Sequence, residues 1–234
     1  MRFSSPLTEG RLVRRYKRFL ADIELADGSV VIAHCPNPGA GTGLFDAGNR
    51  AWISRSDKPG RKLAWTLELV EADRVLVGVD AGRANAIVAE GFGAGRIPWL
   101  AASSVMRREV RYGKASRVDF VFSGPGCADF HVEVKNVHLM RTPGRAEFPD
   151  SVTTRGARHL DELADVVRAG GRAALLYVIQ RPDCDHVAVA ADIDPAYAAA
   201  FARARLAGVE CRAHLCDITV DGITLGGEVP VSFP

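Results

Sequence analysis

Hydrophobic and polar positions follow two different patterns along the chain, and the change falls near residue 83. Before it, short apolar runs predict strands at 13–25, 30–35, 50–55, 63–71 and 74–80. Turn residues separate them, first Ala26-Asp27-Gly28 and then the Pro- and Gly-rich stretch 36–48. Five short strands of this kind suit a small closed barrel such as an OB-fold. After residue 83 helical and extended segments alternate. An apolar helix is expected over 84–92, a strand over 107–112, and then a hairpin. A helix over 150–170, capped by Ser151 or Asp150, precedes strands at 173–180 and 186–191. An Ala-rich helix over 195–207 and a strand at 209–215 complete the order. That order predicts a mixed sheet flanked by helices. The fold class is therefore α+β, with an OB-like barrel over 1–83 and an α/β domain over 84–234.

The hairpin carries the candidate chemistry. Val118 to Phe122 and Phe130 to Val134 flank a Ser-Gly-Pro-Gly turn, and three charged residues interrupt the apolar pattern: Asp119, Glu133 and Lys135. Strand side chains repeat with period two, so Glu133 and Lys135 share a face, and antiparallel pairing can bring Asp119 to it. Magnesium or manganese takes oxygen ligands and keeps several waters, so two carboxylates plus a substrate phosphate suffice. Asp119 and Glu133 are the expected metal ligands, the Val134 carbonyl is a third candidate, and Lys135 stands beside them to orient a water or balance charge. The same spacing also fits a half-exposed hairpin whose charges form cross-strand ion pairs.

Charge changes the picture only locally. The net charge of +2 says little about partners, but residues 2–18 hold six Lys/Arg against Glu9 alone, and residues 107–117 hold five against Glu109 alone. Arg14, Arg15, Lys17, Arg18, Arg61, Lys62 and Arg117 are the candidate phosphate contacts, with Tyr16, Phe19, Trp52 and Trp65 available to stack on bases or to fill the core. Arg155 and His159, four apart on the expected 150–170 helix, could join its first amides around a phosphate. Five scattered cysteines form no C-x-x-C pair, which suits reduced thiols in the cytoplasm. No apolar run approaches a membrane span, and no phosphate-binding G-x-x-x-x-G-K-[ST] loop is present.

Several segments in order resemble the sugar fermentation stimulation protein A (SfsA) family. They are R-R-Y-K-R-F-L-A-D at 14–22, A-H-C-P-N-P-G at 33–39, R-K-L-A-W-T-L-E at 61–68, S-R-V-D-F at 116–120, E-V-K-N-V at 133–137 and F-P-D-S-V-T-T-R-G at 148–156. The resemblance implies DNA as partner, single- or double-stranded, and a second domain similar to the PD-(D/E)xK nucleases. It places Glu90, on the first helix, in the catalytic metal cluster with Asp119, Glu133 and Lys135. It also gives Arg155 and His159 a functional role. The expected activity is a Mg²⁺- or Mn²⁺-dependent DNA endonuclease. The alternative is a non-catalytic DNA-binding regulator of sugar (maltose) metabolism that keeps the nuclease-like fold. A homodimer is left open.

Overall fold

The computed structural model describes residues 1–113 and 116–232. Six strands form the first sheet: β1 (Thr8–Tyr16), β2 (Leu20–Leu25), β3 (Val30–His34), β4 (Arg50–Arg55), β5 (Trp65–Ala72) and β6 (Val75–Gly78). Their order is β3-β2-β1-β4-β5-β6, and a parallel β3–β5 pairing at Ala33↔Trp65 and His34↔Thr66 closes the first five into a barrel. Leu12, Ile23, Ile53, Leu67 and Val70 alternate inward and fill it. At Gly10 an added Cβ would stand 2.7 Å from the Glu24 carbonyl, so β1 and β2 approach too closely there for a side chain.

The strand expected over 13–25 is instead a hairpin. Lys17 and Arg18 adopt left-handed conformations, φ 49° and 62°, and reverse the chain. Neither residue type announces such a turn. Arg15 holds it, donating Nε to the Arg18 carbonyl at 2.9 Å.

The second half begins at α1 (Ala84–Gly93) and continues through β7 (Val105–Tyr112), β8 (Ser116–Gly124), β9 (Cys127–Val137), β10 (Leu139–Thr142) and β11 (Gly144–Phe148). Then follow α2 (Thr154–Arg168), β12 (Arg172–Ile179), β13 (Cys184–Val189), α3 (Pro195–Leu206), β14 (Glu210–Thr219), β15 (Gly222–Glu228) and β16 (Val231–Ser232). The main sheet has the order β15-β14-β12-β9-β8-β7, parallel from β9 to β14 and antiparallel at both edges. One face packs Phe120, Phe122 and Val132 on Ile87 and Val88 of α1. The other packs Leu175 and Tyr177 on Leu160 and Leu163 of α2 and Phe201 of α3. The hairpin β8–β9 thus lies inside the sheet, covered on both sides.

Two expectations need correction here. The segment at 186–191 does not join the main sheet. It pairs as β13 in a separate four-stranded sheet, β10-β11-β13-β16, whose short strands the sequence pattern did not reveal. The helix expected from residue 150 starts at Thr154, because Asp150 accepts the Gly41 amide at 3.2 Å and Thr153 is the cap, accepting Gly156 N at 3.1 Å.

The two halves are joined by polar contacts around a shared apolar patch. Trp52 and Leu69 of the barrel belong to the core that contains α1. Gly78 donates its amide to the Gln180 carbonyl, and the Gln180 amide group donates to the Asp80 carbonyl, both at 2.9 Å. Arg181, 2% exposed, reaches Asp73 of the barrel at 2.9 Å and Asp183 at 2.6 Å. Among the described residues no helix is long and apolar enough to cross a membrane.

Candidate metal centre in the interdomain cleft

A break in strand pairing creates the site. The β8–β9 ladder runs Phe122↔Phe130, Val121↔His131, Phe120↔Val132 and stops. On the other side the β7–β8 ladder passes from Arg108↔Phe120 to Val110↔Val118, skipping Glu109 and Asp119. Glu109 is left-handed, φ 53°. Alternation changes phase at this point: Phe120 packs with α1, whereas Val118 packs with α2. Asp119, freed from the ladder, takes over a ladder role with its side chain. The Val134 amide donates to its Oδ2 at 2.7 Å, and Asn85 of α1 donates to Oδ1 at 2.8 Å.

Glu133 and Lys135 fall on one face of β9, as period two requires. Lys135 Nζ donates to Glu133 Oε1 at 2.5 Å, and His159 of α2 bonds the same oxygen through Nδ1. Glu133 Oε2 is buried and, among the described residues, has no partner. Burial pushes the Glu133 carboxyl up, but the His159 hydrogen bond and the Lys135 charge outweigh it, and the net shift is downward. Asp119 goes the other way: burial raises it, the Glu133 charge adds to that, and the bonds from Val134 and Asn85 only partly offset both.

Both acids line a cleft of about 470 Å³ between the barrel loop at Pro36–Gly39, the start of α1, β9 and Arg155 of α2. The barrel loop is fixed to the second half. Asn37 Nδ2 lies 2.9 Å from His138 Nε2, and a Cβ on Gly39 would collide with the Asp150 carboxylate at 2.0 Å. Among the described residues no three His, Cys, Asp or Glu side chains converge as a ligand set. The cleft therefore offers two carboxylates, a set of hard oxygens suited to an ion that keeps several waters. The orphaned Glu133 Oε2 is the observation that fits such an ion.

Asp119, Glu133 and Lys135 are brought together, and Arg155 reaches the same cleft. Glu90 is not. It is exposed, pairs with the Met1 amino group at 2.7 Å, and lies outside the cleft. Asn85 takes the position expected for it. Residues five apart on a helix point about 140° from each other, so Asn85 and Glu90 cannot both face β9. Sequence reasoning passed over Asn85, although it is a polar residue at the start of an apolar helix. His159 is buried at 3% exposure and serves Glu133 rather than a surface phosphate.

The barrel cations differ among themselves. Arg15 is a structural clasp, donating to the carbonyls of Asn37, Gly39 and Ala40 at 2.8–2.9 Å and lying 4.5 Å from the Phe45 ring centroid. Arg14 pairs with Asp22 at 2.7 Å, and Arg61 bonds Thr66. Lys17 and Arg18 are exposed at the rim of a surface hollow that the 40–43 loop also lines. Lys62 and Arg117 are exposed as well.

A closed OB barrel carrying a second domain built on mixed sheets defines the class of this molecule. The match to family models is direct: residues 13–79 match the SfsA N-terminal OB domain, and residues 82–222 match the sugar fermentation stimulation protein RE domain. The chain belongs to the sugar fermentation stimulation protein family. It is 57% identical over 235 residues to the homologue from Methylobacterium nodulans, covering 99% of both chains. To the homologue from a Jannaschia species it is 53% identical, over 99% of this chain and 97% of that one. The solved structure of Pyrococcus furiosus SfsA in complex with Ca²⁺ superposes with a TM-score of 0.87 at 27% identity, covering 99% of this chain and 98% of the other.

Proposed function

We propose that this protein binds DNA and hydrolyses its phosphodiester bonds at the interdomain cleft with the help of Mg²⁺ or Mn²⁺. The observation that carries the reading is the convergence of Asp119, Glu133 and Lys135 on one cleft, with Glu133 Oε2 buried and without a partner among the described residues. Ca²⁺ in the related archaeal structure supports a divalent-cation role for the family. Asp119 and Glu133 would hold the ion, with the Val134 carbonyl as a further oxygen. When bound, it would acidify a water and neutralise charge on the phosphate. Asn85 and the Val134 amide orient Asp119, so its carboxylate is fixed before ligand arrives. Lys135 supplies a positive group next to Glu133, placed to hold an anionic phosphate or its attacking water. Arg155 adds a second cation at the cleft wall, and Lys17, Arg18, Lys62 and Arg117 would contact backbone phosphates further out.

The test is incubation of labelled single- and double-stranded DNA with the protein and Mg²⁺ or Mn²⁺. Cleavage that disappears in Glu133→Ala is the expected result. Salt-sensitive DNA binding without cleavage under any condition would instead leave a binding protein, in keeping with the regulatory role that the relatives' name suggests.

A further inference from the structure

The His159 ring bonds through both nitrogens, and its partners fix its tautomer. Nε2 lies 3.2 Å from Nε of Arg155, a group that only donates. Nε2 is therefore the acceptor, the ring proton sits on Nδ1, and Nδ1 gives it to Glu133 Oε1. Lys135 donates to that same oxygen. Two donors thus converge on Oε1 while Oε2, also buried, receives none from the described residues. A carboxylate free to rotate would share its donors between both oxygens. This one is held in a single orientation by side chains from its own strand and from α2.

We propose that His159 is a positioning residue that, with Lys135, locks Glu133 so that it offers a cation one oxygen, Oε2, and that Arg155 is the anion-facing end of the same hydrogen-bonded chain. This rests on reading the cleft as a metal centre. Metal sites commonly use a carboxylate to orient a ligating imidazole. Here the roles are exchanged, and a buried imidazole orients a ligating carboxylate. Single-oxygen ligation suits a small octahedral ion whose other positions go to water and phosphate, and suits less well an ion that prefers bidentate carboxylates. Arg155, exposed at the cleft, would tie phosphate contact to the orientation of His159 and hence of Glu133.

Calorimetric titration of the full chain with Mn²⁺ tests the idea. Asn places its amide nitrogen about where Nδ1 of His159 lies, and Gln places it about where Nε2 lies. His159→Asn should keep Mn²⁺ affinity within roughly threefold of the unsubstituted protein, and His159→Gln should lose about 10- to 100-fold. Asn and Gln variants that behave alike, whether both weak or both unimpaired, overturn the positioning role. Failure of the unsubstituted protein to bind Mn²⁺, or unchanged binding in Glu133→Ala, overturns the metal-centre reading itself, so the two failures are told apart. A readout that needs no substitution is ¹⁵N-histidine NMR of the native chain. The expected signature is a ring carrying its proton on Nδ1, with an Nδ1 signal that moves on Mg²⁺ saturation. A ring protonated on Nε2, or one indifferent to Mg²⁺, sinks the proposal.

Discussion

Arg15 in the barrel and Glu133 in the mixed-sheet half are both charged residues within motifs that point to function, yet they are used in opposite ways. Arg15 turns onto the protein's own backbone and satisfies four carbonyls, so four of its five N–H groups are used inside the protein. Glu133 accepts donors on one oxygen, and the other is buried with no partner among the described residues. A basic cluster read from sequence counts charges. The structure separates those that hold the protein together from those left for something else. The barrel loop that Arg15 fastens is also a wall of the cleft, so the structural cation in one half shapes the surroundings of Glu133 in the other.

That contrast can be tested at four strengths. Glu133→Ala should have the largest effect, removing cation binding by at least about 100-fold in calorimetry together with any Mg²⁺-dependent cleavage. Arg181→Ala comes next, because it strips a buried guanidinium from Asp73 and Asp183. We expect a loss of roughly 1–3 kcal/mol in urea unfolding. A smaller loss would mean that the apolar patch and the remaining polar contacts suffice to hold the halves together. Third, Arg15→Ala and Lys17→Ala should separate cleanly. The first should cost about 1–3 kcal/mol of stability. The second should leave stability within about 0.5 kcal/mol but lower the slope of log K against log salt for DNA by about one. Equal stability losses would erase the distinction between clasp and contact.

The smallest effect is a pH dependence centred on Arg141. Arg141 bonds both Glu147 and Asp192 and holds the two carboxyls below their ordinary values, Asp192 at about 2. Stability from depressed carboxyl pKa values is present above the unfolded values and disappears as pH falls through the folded ones. Arg141→Gln should therefore melt lower than the parent at pH 7, and the gap should narrow as pH falls from about 4 towards about 2. A gap that stays constant with pH would show that Arg141 acts through packing alone.

Much of this molecule is legible in its sequence, for reasons that also explain the misses. The 50–55 strand matches its expected limits because a buried run between turn residues has few other outcomes. The β1–β2 hairpin escaped because its left-handed turn is made by Lys17 and Arg18 and held by Arg15, with no Gly or Asn to mark it. The small sheet escaped because β10 and β16 are only 4 and 2 residues long and gain their partners from distant segments. At the site, period two was enough to put Glu133 and Lys135 on one face. It could not foresee that Asp119 reaches them by leaving the ladder, or that helical phase would present Asn85 and turn Glu90 away. His159 was singled out by its spacing from Arg155, yet spacing does not reveal which side of a helix is buried.

One carboxylate outside the cleft joins two helix beginnings. Asp194 receives the Tyr197 amide at the head of α3 and the Thr153 amide just before α2, at 2.9 and 2.7 Å. The first turn of α2 carries Arg155, and the next carries His159. The helix whose His159 holds Glu133 therefore does not start on its own cap alone: its entry is tied to α3 through one side chain.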